Sequence, residues 1–420
     1  MISRLRRALT LSLFCLIISL WTSPQRSATA ADWSQWRGPA RDGQIPAEWF
    51  SETWPQELKP LWRAKAGTGH ASPIIVGETI YLYSRIDENE VLQAYALKTG
   101  ELHWEKLYPA PYKVNPAAEG HGAGPKSTPW GDETSIVTVG ISGIVSCWDV
   151  KTQKLRWQKD FTGQFPRTPP LYGAAASPIV HDDAVIVPLG GHDEGSIYAF
   201  YLQSGDAKWN SLNDGPGYAS PVIAEIEGGE QLITQTQTRL VSLNPEDGKL
   251  LWSRKLTTPY DQNSITPVVV GNQVLLAGTR TRTALITIVQ QAGRWHEITK
   301  WSNEAIPLYM STPVVHGRRL FGFSEREKGH LFCADLATGT INWSTAGRLG
   351  DNAALFISRD TLLALTTDGV LHVYRAQADK EEELHRYQLS EQPTWASPAF
   401  APGMIVVKDV DTLYAWSFGE

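Results

Sequence analysis

Nine side chains stand out by type: His70, His121, Lys126, Tyr172, Tyr218, Asn263, Tyr309, Asn352 and Trp395. Histidine can bind a metal or carry a proton near neutral pH, lysine can hold an anion, and an indole can stack on a flat ring. None of the nine belongs to a catalytic motif. The chain has no nucleophile elbow, no phosphate-cradling glycine loop and no zinc signature. His70 and His121 could share a metal, but no carboxylate or cysteine stands at metal spacing from either, so they read as loop histidines. His192-Asp193-Glu194 suits a small cation site and equally a solvated turn tip. Asp351-Asn352 offers oxygens, as an ordinary turn would.

A repeat must bring these scattered residues together. Its clearest copy is the stretch 91–104, VLQAYALKTGELHW. Alternating apolar and polar residues make two strands, Thr99-Gly100 makes the turn between them, and Trp104 ends the second strand. Gly100 tolerates the positive φ of such a turn. One hairpin of this kind is marginal alone, so several must stack.

A second marker precedes each hairpin: a small or apolar residue, then Ser or Thr, then Pro. It occurs at Ser72-Pro73, Thr128-Pro129, Ser177-Pro178, Ser220-Pro221, Thr266-Pro267, Thr312-Pro313 and Ser397-Pro398. Proline suits the start of a strand, where no ladder N–H is required. Another apolar run lies between marker and hairpin, so each unit holds four strands, A to D. The units close on Trp104, Trp157, Trp209, Trp252, Trp301 and Trp343, and a seventh, 353–387, keeps the strand rhythm without the marker or the indole. The period is roughly 42–56 residues, the range of propeller blades. Indoles at that period read as packing between blades rather than a ligand-binding array.

The final unit stops after three strands, at Tyr414-Ala415-Trp416. The segment 58–63, LKPLWR, reads as its missing strand D. The expected fold is therefore an all-β, eight-bladed propeller of four-stranded antiparallel blades, its ring closed by an N-terminal strand in the last blade. Closure in this way covers an open edge. Counting back from the turns places Ala94, Cys147, Ala199, Ser242, Cys333 and Ala415 at one small-residue position. Cys147 and Cys333 then pack in blades two and six, on opposite sides of the ring, and cannot form a disulfide.

Ahead of the repeats, Arg4, Arg6 and Arg7 precede the apolar run 9–21 and the small residues Ala28-Thr29-Ala30. This is the pattern of a secretory signal over residues 1–30, too short in its apolar part to span a bilayer comfortably. Cys15 lacks the small preceding residue of a lipid-attachment box. Losing Arg4, Arg6, Arg7 and Arg26 moves the formal charge from −6 to about −10, which argues against a nucleic-acid partner. No transmembrane span is expected after signal removal. Residues 31–57 form a lead-in whose Trp33, Trp36, Trp49 and Trp54 lie outside the repeats and should pack over one face of the ring, and residues 58–420 form the propeller.

Strand direction alternates within a blade, so the D–A and B–C loops open on one face. The D–A loops carry all nine residues named at the outset. The B–C loops add Arg85, Asp87, His192, Asp193, Glu194, Arg280, Arg282, Glu325 and Arg326. Two D–A connections, 105–126 and 158–174, are long for this architecture, and long loops are often functional. The nine residues are the candidate lining of a funnel that binds a protein or a small ligand.

The Ser/Thr-Pro strand start, the Ala-x-x-x-x-Thr-Gly-x-x-x-Trp hairpin and the eightfold count together resemble the pyrroloquinoline-quinone-type propeller repeat, over nearly all of the chain after residue 31. The lead-in Asp32-Trp33-Ser34-Gln35-Trp36-Arg37-Gly38-Pro39, followed by Arg41-Asp42-Gly43, is similar to that of exported bacterial proteins with these repeats. The resemblance implies two possible lives. One is a quinoprotein dehydrogenase oxidising an alcohol or sugar, with pyrroloquinoline quinone over the ring centre beside calcium and, in many members, a disulfide between adjacent cysteines. The other is a non-catalytic scaffold similar to the propeller lipoprotein of the outer-membrane β-barrel assembly machinery. This chain has no adjacent cysteine pair, and no residue set matches the cofactor site. The expectation is an exported, periplasmic or secreted, binding or scaffolding module without a cofactor. The dehydrogenase is the alternative, and a saccharide-binding module is a third reading.

Overall fold

The computed structural model describes residues 32–165, 170–326, 329–377 and 379–419, and the expected signal segment lies outside them. Eight four-stranded antiparallel sheets follow one another in chain order. Blades 1 to 7 span residues 74–109, 130–160, 179–211, 222–255, 268–303, 314–344 and 353–388, each with its four strands in sequence. Blade 8 takes three strands from 399–417 and its fourth from Lys59–Lys65. In that closure Trp62 pairs with Ala415 and Arg63 with Tyr414. The seventh unit, for all its missing markers, is a complete blade.

The Trp and turn-Gly positions of the repeat turn out to be two halves of one contact. Five of the indoles, Trp62, Trp157, Trp209, Trp301 and Trp343, reach the C–D turn of the following blade. Trp62, Trp157, Trp301 and Trp343 donate Nε1–H to the carbonyls of Leu97, Leu202, Leu336 and Gln377, at 3.0, 2.8, 2.8 and 2.9 Å. A Cβ on Gly100 would stand 2.4 Å from the Trp62 ring, and one on Gly205 would stand 2.6 Å from that of Trp157. Glycine at this turn therefore serves a close approach as well as its positive φ. Across the C–D ladder the small residues face the indoles directly: Ala94 pairs with Trp104, Cys147 with Trp157, Cys333 with Trp343. Cys147 and Cys333 are buried and free.

Blade 5 departs from the pattern. Its C–D hairpin, Thr283–Gln291 with Arg294–Asn303, is the longest, and Leu285 replaces the small residue opposite Trp301. With no Thr-Gly turn to meet, Trp252 of blade 4 instead donates to Gln231 Oε1 at 2.7 Å. The first long loop is also shorter than expected, because strand D of blade 1 continues through Leu102–Pro109.

The Ser/Thr of the marker forms a belt around the central channel. The N–H groups of Ser72, Thr128 and Ser177 donate to the hydroxyls of Thr128, Ser177 and Ser220, each on the next blade, at 3.2, 3.0 and 2.9 Å. Thr266 donates likewise to Thr312 at 3.1 Å. Each hydroxyl satisfies an N–H that no ladder reaches.

The lead-in does more than lie over one face: it enters the channel. Trp33 bridges Ile75 of blade 1, and Ile45 bonds Ile357 of blade 7. The Trp33 ring packs among Trp49, Phe356 and Phe400. Phe50 and Trp54 close over Phe418. Between these anchors, Arg41 donates to the carbonyls of Pro178 and Pro221 and Arg37 to those of Thr312 and Pro313. Burial pulls the guanidinium pKa values down, to about 10 for Arg37 and about 9 for Arg41, so both stay charged at neutral pH.

Candidate functional site

A cavity opens at the ring centre on the face of the D–A and B–C loops. The lead-in closes the channel beneath it. There Trp36 donates Nε1–H to Thr266 Oγ1 at 2.8 Å, with Ser177, Ser220 and Ser264 around it. Higher on the wall stand His70, His121, Lys126, Tyr172, Tyr218, Tyr309, Asn352 and Trp395. The repeat explains this convergence: the eight residues sit on seven equivalent D–A loops, His121 and Lys126 sharing the one between blades 1 and 2, so a sequence period becomes a circle of side chains.

Asn263 is the exception among the nine. It is fully buried, and its Nδ2 donates to the carbonyls of Thr236, Gln237 and Leu256 at 2.8, 3.0 and 3.0 Å. It holds the D–A loop in shape, while its neighbours Gln262 and Ser264 line the wall. Gln262 donates to the Tyr172 hydroxyl at 3.2 Å. The sequence pattern assigned Trp36 only to packing of the lead-in and passed over Gln262 and Lys408, whose side-chain types gave no signal; the path of the lead-in through the channel is what brings Trp36 to the cavity.

The aromatic groups form one connected surface. His70 stacks on Trp395 at 5.8 Å and 8°. The His121 ring lies edge-on to Trp395 at 5.1 Å and to Tyr172 at 5.2 Å, and Tyr172 is edge-on to Tyr218 at 5.5 Å. His70 and His121 are themselves 5.6 Å apart. Burial, with the charges of Lys126 and Lys408 and the neighbouring His121, lowers the His70 pKa to about 3. Burial and Lys126 lower that of His121 as well. Both imidazoles are therefore neutral at physiological pH.

Two lysines supply the positive charge. Lys126 faces the cavity, and its Nζ has one long contact, to the Gly122 carbonyl at 3.4 Å. Burial lowers its pKa to about 8. Lys408 lies behind the His70 loop, fully buried, donating to the carbonyls of Gly69, Asp409 and Val410 at 2.8, 2.9 and 3.2 Å. Burial lowers its pKa to about 8 too, against the opposing charges of Asp409 and Asp411. Burial raises the Tyr218 and Tyr309 phenols well above their ordinary range, so both remain hydrogen-bond donors.

The donor set does not suit a calcium-bound quinone. Calcium requires several oxygen ligands, yet among the described residues no carboxylate lines the cavity. Asp351 is turned away to Arg348 at 3.0 Å, and Asn352 Oδ1 takes the Ser311 hydroxyl. Elsewhere, His192 sits between Asp193 and Asp261 at 3.0 and 2.9 Å. Burial works against its proton, but the two carboxylates outweigh it and raise its pKa. Among the described residues no group of three or more His, Cys, Asp or Glu is placed to hold a metal. Arg280, Arg282, Glu325 and Arg326 line a separate depression over blades 5 and 6. No helix among the described residues is long and apolar enough to cross a membrane.

Comparison with known proteins follows the same architecture. The family model described as outer membrane protein assembly factor BamB matches residues 88–345. The outer membrane protein assembly factor BamB of Yersinia pestis is 24% identical over 324 residues, covering 73% of this chain and 78% of that protein. The crystal structure of BamB from Moraxella catarrhalis superposes with a TM-score of 0.62 at 15% identity, covering 86% of this chain and 99% of that one. The quinohemoprotein alcohol dehydrogenase of Comamonas testosteroni superposes with a TM-score of 0.67 at 13% identity, covering 94% and 82%. At such identities the structural likenesses show the fold alone.

Proposed function

The chain belongs to the propeller-repeat family described as outer membrane protein assembly factor BamB, and from that premise we propose that it is an exported, non-catalytic scaffold of outer-membrane protein assembly, working in the periplasm through its funnel face. One observation carries the choice of face. The loops around the cavity present large apolar side chains to solvent: Tyr260 is 74% exposed, Val410 46% and Ile86 38%. Tyr260 is also held at a positive φ of 61° in the short turn Pro259–Asp261. A strained, exposed tyrosine beside a closed-bottomed aromatic cavity is the arrangement of an anchor for a protein partner. The opposite face carries the A–B turns, with Gly77, Gly228 and Gly271, and the C–D turns, and there Leu102, Leu155, Tyr201 and Leu250 are 44, 43, 39 and 39% exposed. It is the greater exposure of Tyr260, beside the cavity, that favours the funnel face.

The test is site-specific photo-cross-linking in the cell envelope. A cross-linker at Tyr260 or Val410 should capture a subunit of the outer-membrane assembly machinery, and one at Gly228 or Gly271 should not. Capture from the opposite face alone, or from neither, refutes the proposal. Stoichiometric uptake of pyrroloquinoline quinone with calcium and dye-linked alcohol turnover refutes it in favour of catalysis.

A further inference from the structure

We propose that the central cavity is a receptor for a single carboxylate, which the scaffold's polypeptide partner presents as an acidic side chain or chain end. The proposal rests on the scaffold reading only for what carries the carboxylate; the site itself is argued from its wall.

Among the described residues Lys126 is the one cation on that wall, and it has no carboxylate partner there. Its charge is held half-buried with a single long hydrogen bond, a position that disfavours it unless an anion arrives. The groups nearby cannot supply that anion. His70 and His121 are neutral, Lys408 behind them is positive, and the phenols of Tyr218 and Tyr309 are donors. Among the described residues the wall thus offers one charge and several neutral donors, without a guanidinium. That set matches a monoanion and falls short for a phosphate, which carries more charge and prefers several cations or a bidentate Arg. The aromatic surface of Trp395, Tyr172 and Tyr218 provides room for the apolar stem or neighbour of the acid. Trp36 closes the bottom, so a ligand enters and leaves only by the open face, which suits a projecting side chain better than a chain threading through.

The experiment is calorimetric titration of the purified mature protein with four probes: benzoate, inorganic phosphate, a short peptide with a central Glu, and the same peptide with Gln. Binding by the Glu peptide, at least tenfold weaker for the Gln peptide and for K126Q, and retained by K126R, supports the proposal. Binding of benzoate without the Glu peptide keeps the carboxylate site but assigns it to a small molecule and overturns the polypeptide source. Equal binding of Glu and Gln peptides, undiminished binding to K126Q, tighter binding of phosphate than of either carboxylate, or no binding of any probe overturns the site. Y218F, away from the charge, should weaken binding several-fold with unchanged circular dichroism; no effect counts against the geometry. These readings use the protein alone. The cross-linking test of the scaffold reading uses the envelope and does not depend on Lys126, so either idea can fall without the other.

Discussion

Replacing Gly100 by alanine tests the contact that joins one blade to the next. Gly100 has φ of +70°, and an added Cβ would lie 2.4 Å from Trp62 Cε3. Two penalties follow. The left-handed conformation costs about 1–2 kcal/mol for any residue with a Cβ. The indole must also move away by roughly an ångström, which adds about 1–3 kcal/mol of overpacking and about 1 kcal/mol for the strained Trp62 Nε1–H bond to Leu97. Gly77 supplies the matched control. It has φ of +57° with nothing within 4 Å of its added Cβ, so G77A meets the first penalty alone. G100A should therefore destabilise the protein by about 2–4 kcal/mol more than G77A. The assay is urea unfolding followed by circular dichroism, with both variants also made in a W62A background. Once the indole is gone, the two glycine substitutions should be equivalent. Equal losses for G100A and G77A in the parent chain, or an undiminished difference in the W62A background, would refute the idea that the turn glycine is dictated by the neighbouring blade.

Three further outcomes follow from the same structure. Gln153 occupies in blade 2 the place of Gly100 and holds a φ of 57°; Q153G should raise stability by about 0.5–1 kcal/mol, read as a higher urea midpoint. Lys408 has a folded pKa of about 8, well below its unfolded value, so the unfolded chain binds more protons between the two and stability should rise with pH there. The rise should be about 2 kcal/mol from pH 7.5 to 9.5, with half-exposed Lys126 adding less, and K408M should flatten the profile; a falling profile would contradict the assignment. R41M leaves the carbonyls of Pro178 and Pro221 without their donor and should make the 32–44 segment at least several-fold more sensitive to proteinase K. R41K, which lacks the fork that reaches both, should not restore protection, and unchanged cleavage would mean the lead-in is held by its aromatic anchors alone.

The ring was legible in the sequence because its determinants recur. Eight units, their small residues opposite indoles, and the strand lent by 58–63 to the last blade all follow from counting residues between turns, and each has its counterpart in the hydrogen-bond registers. The gathering of eight loop residues at the centre was legible for the same reason, since a position in the repeat is a position on the circle. Asn263 shows where that logic stops: the repeat placed its loop correctly, but only the three carbonyls around its amide decide that it faces inward. Arg37 and Arg41 were not legible at all. They lie in a segment outside the repeat, and their partners are backbone carbonyls of blades 3, 4 and 6, which carry no side-chain signature. The hydroxyl belt was visible as a pattern without a reason, because the hydrogen bond that makes Ser or Thr useful there crosses from one unit to the next.

The lending of Lys59–Lys65 to the last blade also sets a timetable. A ribosome delivers this strand before any blade is complete and its mate, Thr412–Ser417, only after the seven blades between them. Until then the early strand has no neighbour on that side, and every blade between must wait in an unfinished arc with two raw margins. Truncation before Thr412 would thus strand both margins at once, so a prematurely ended chain should be a substrate for proteases or for self-association rather than a smaller working ring.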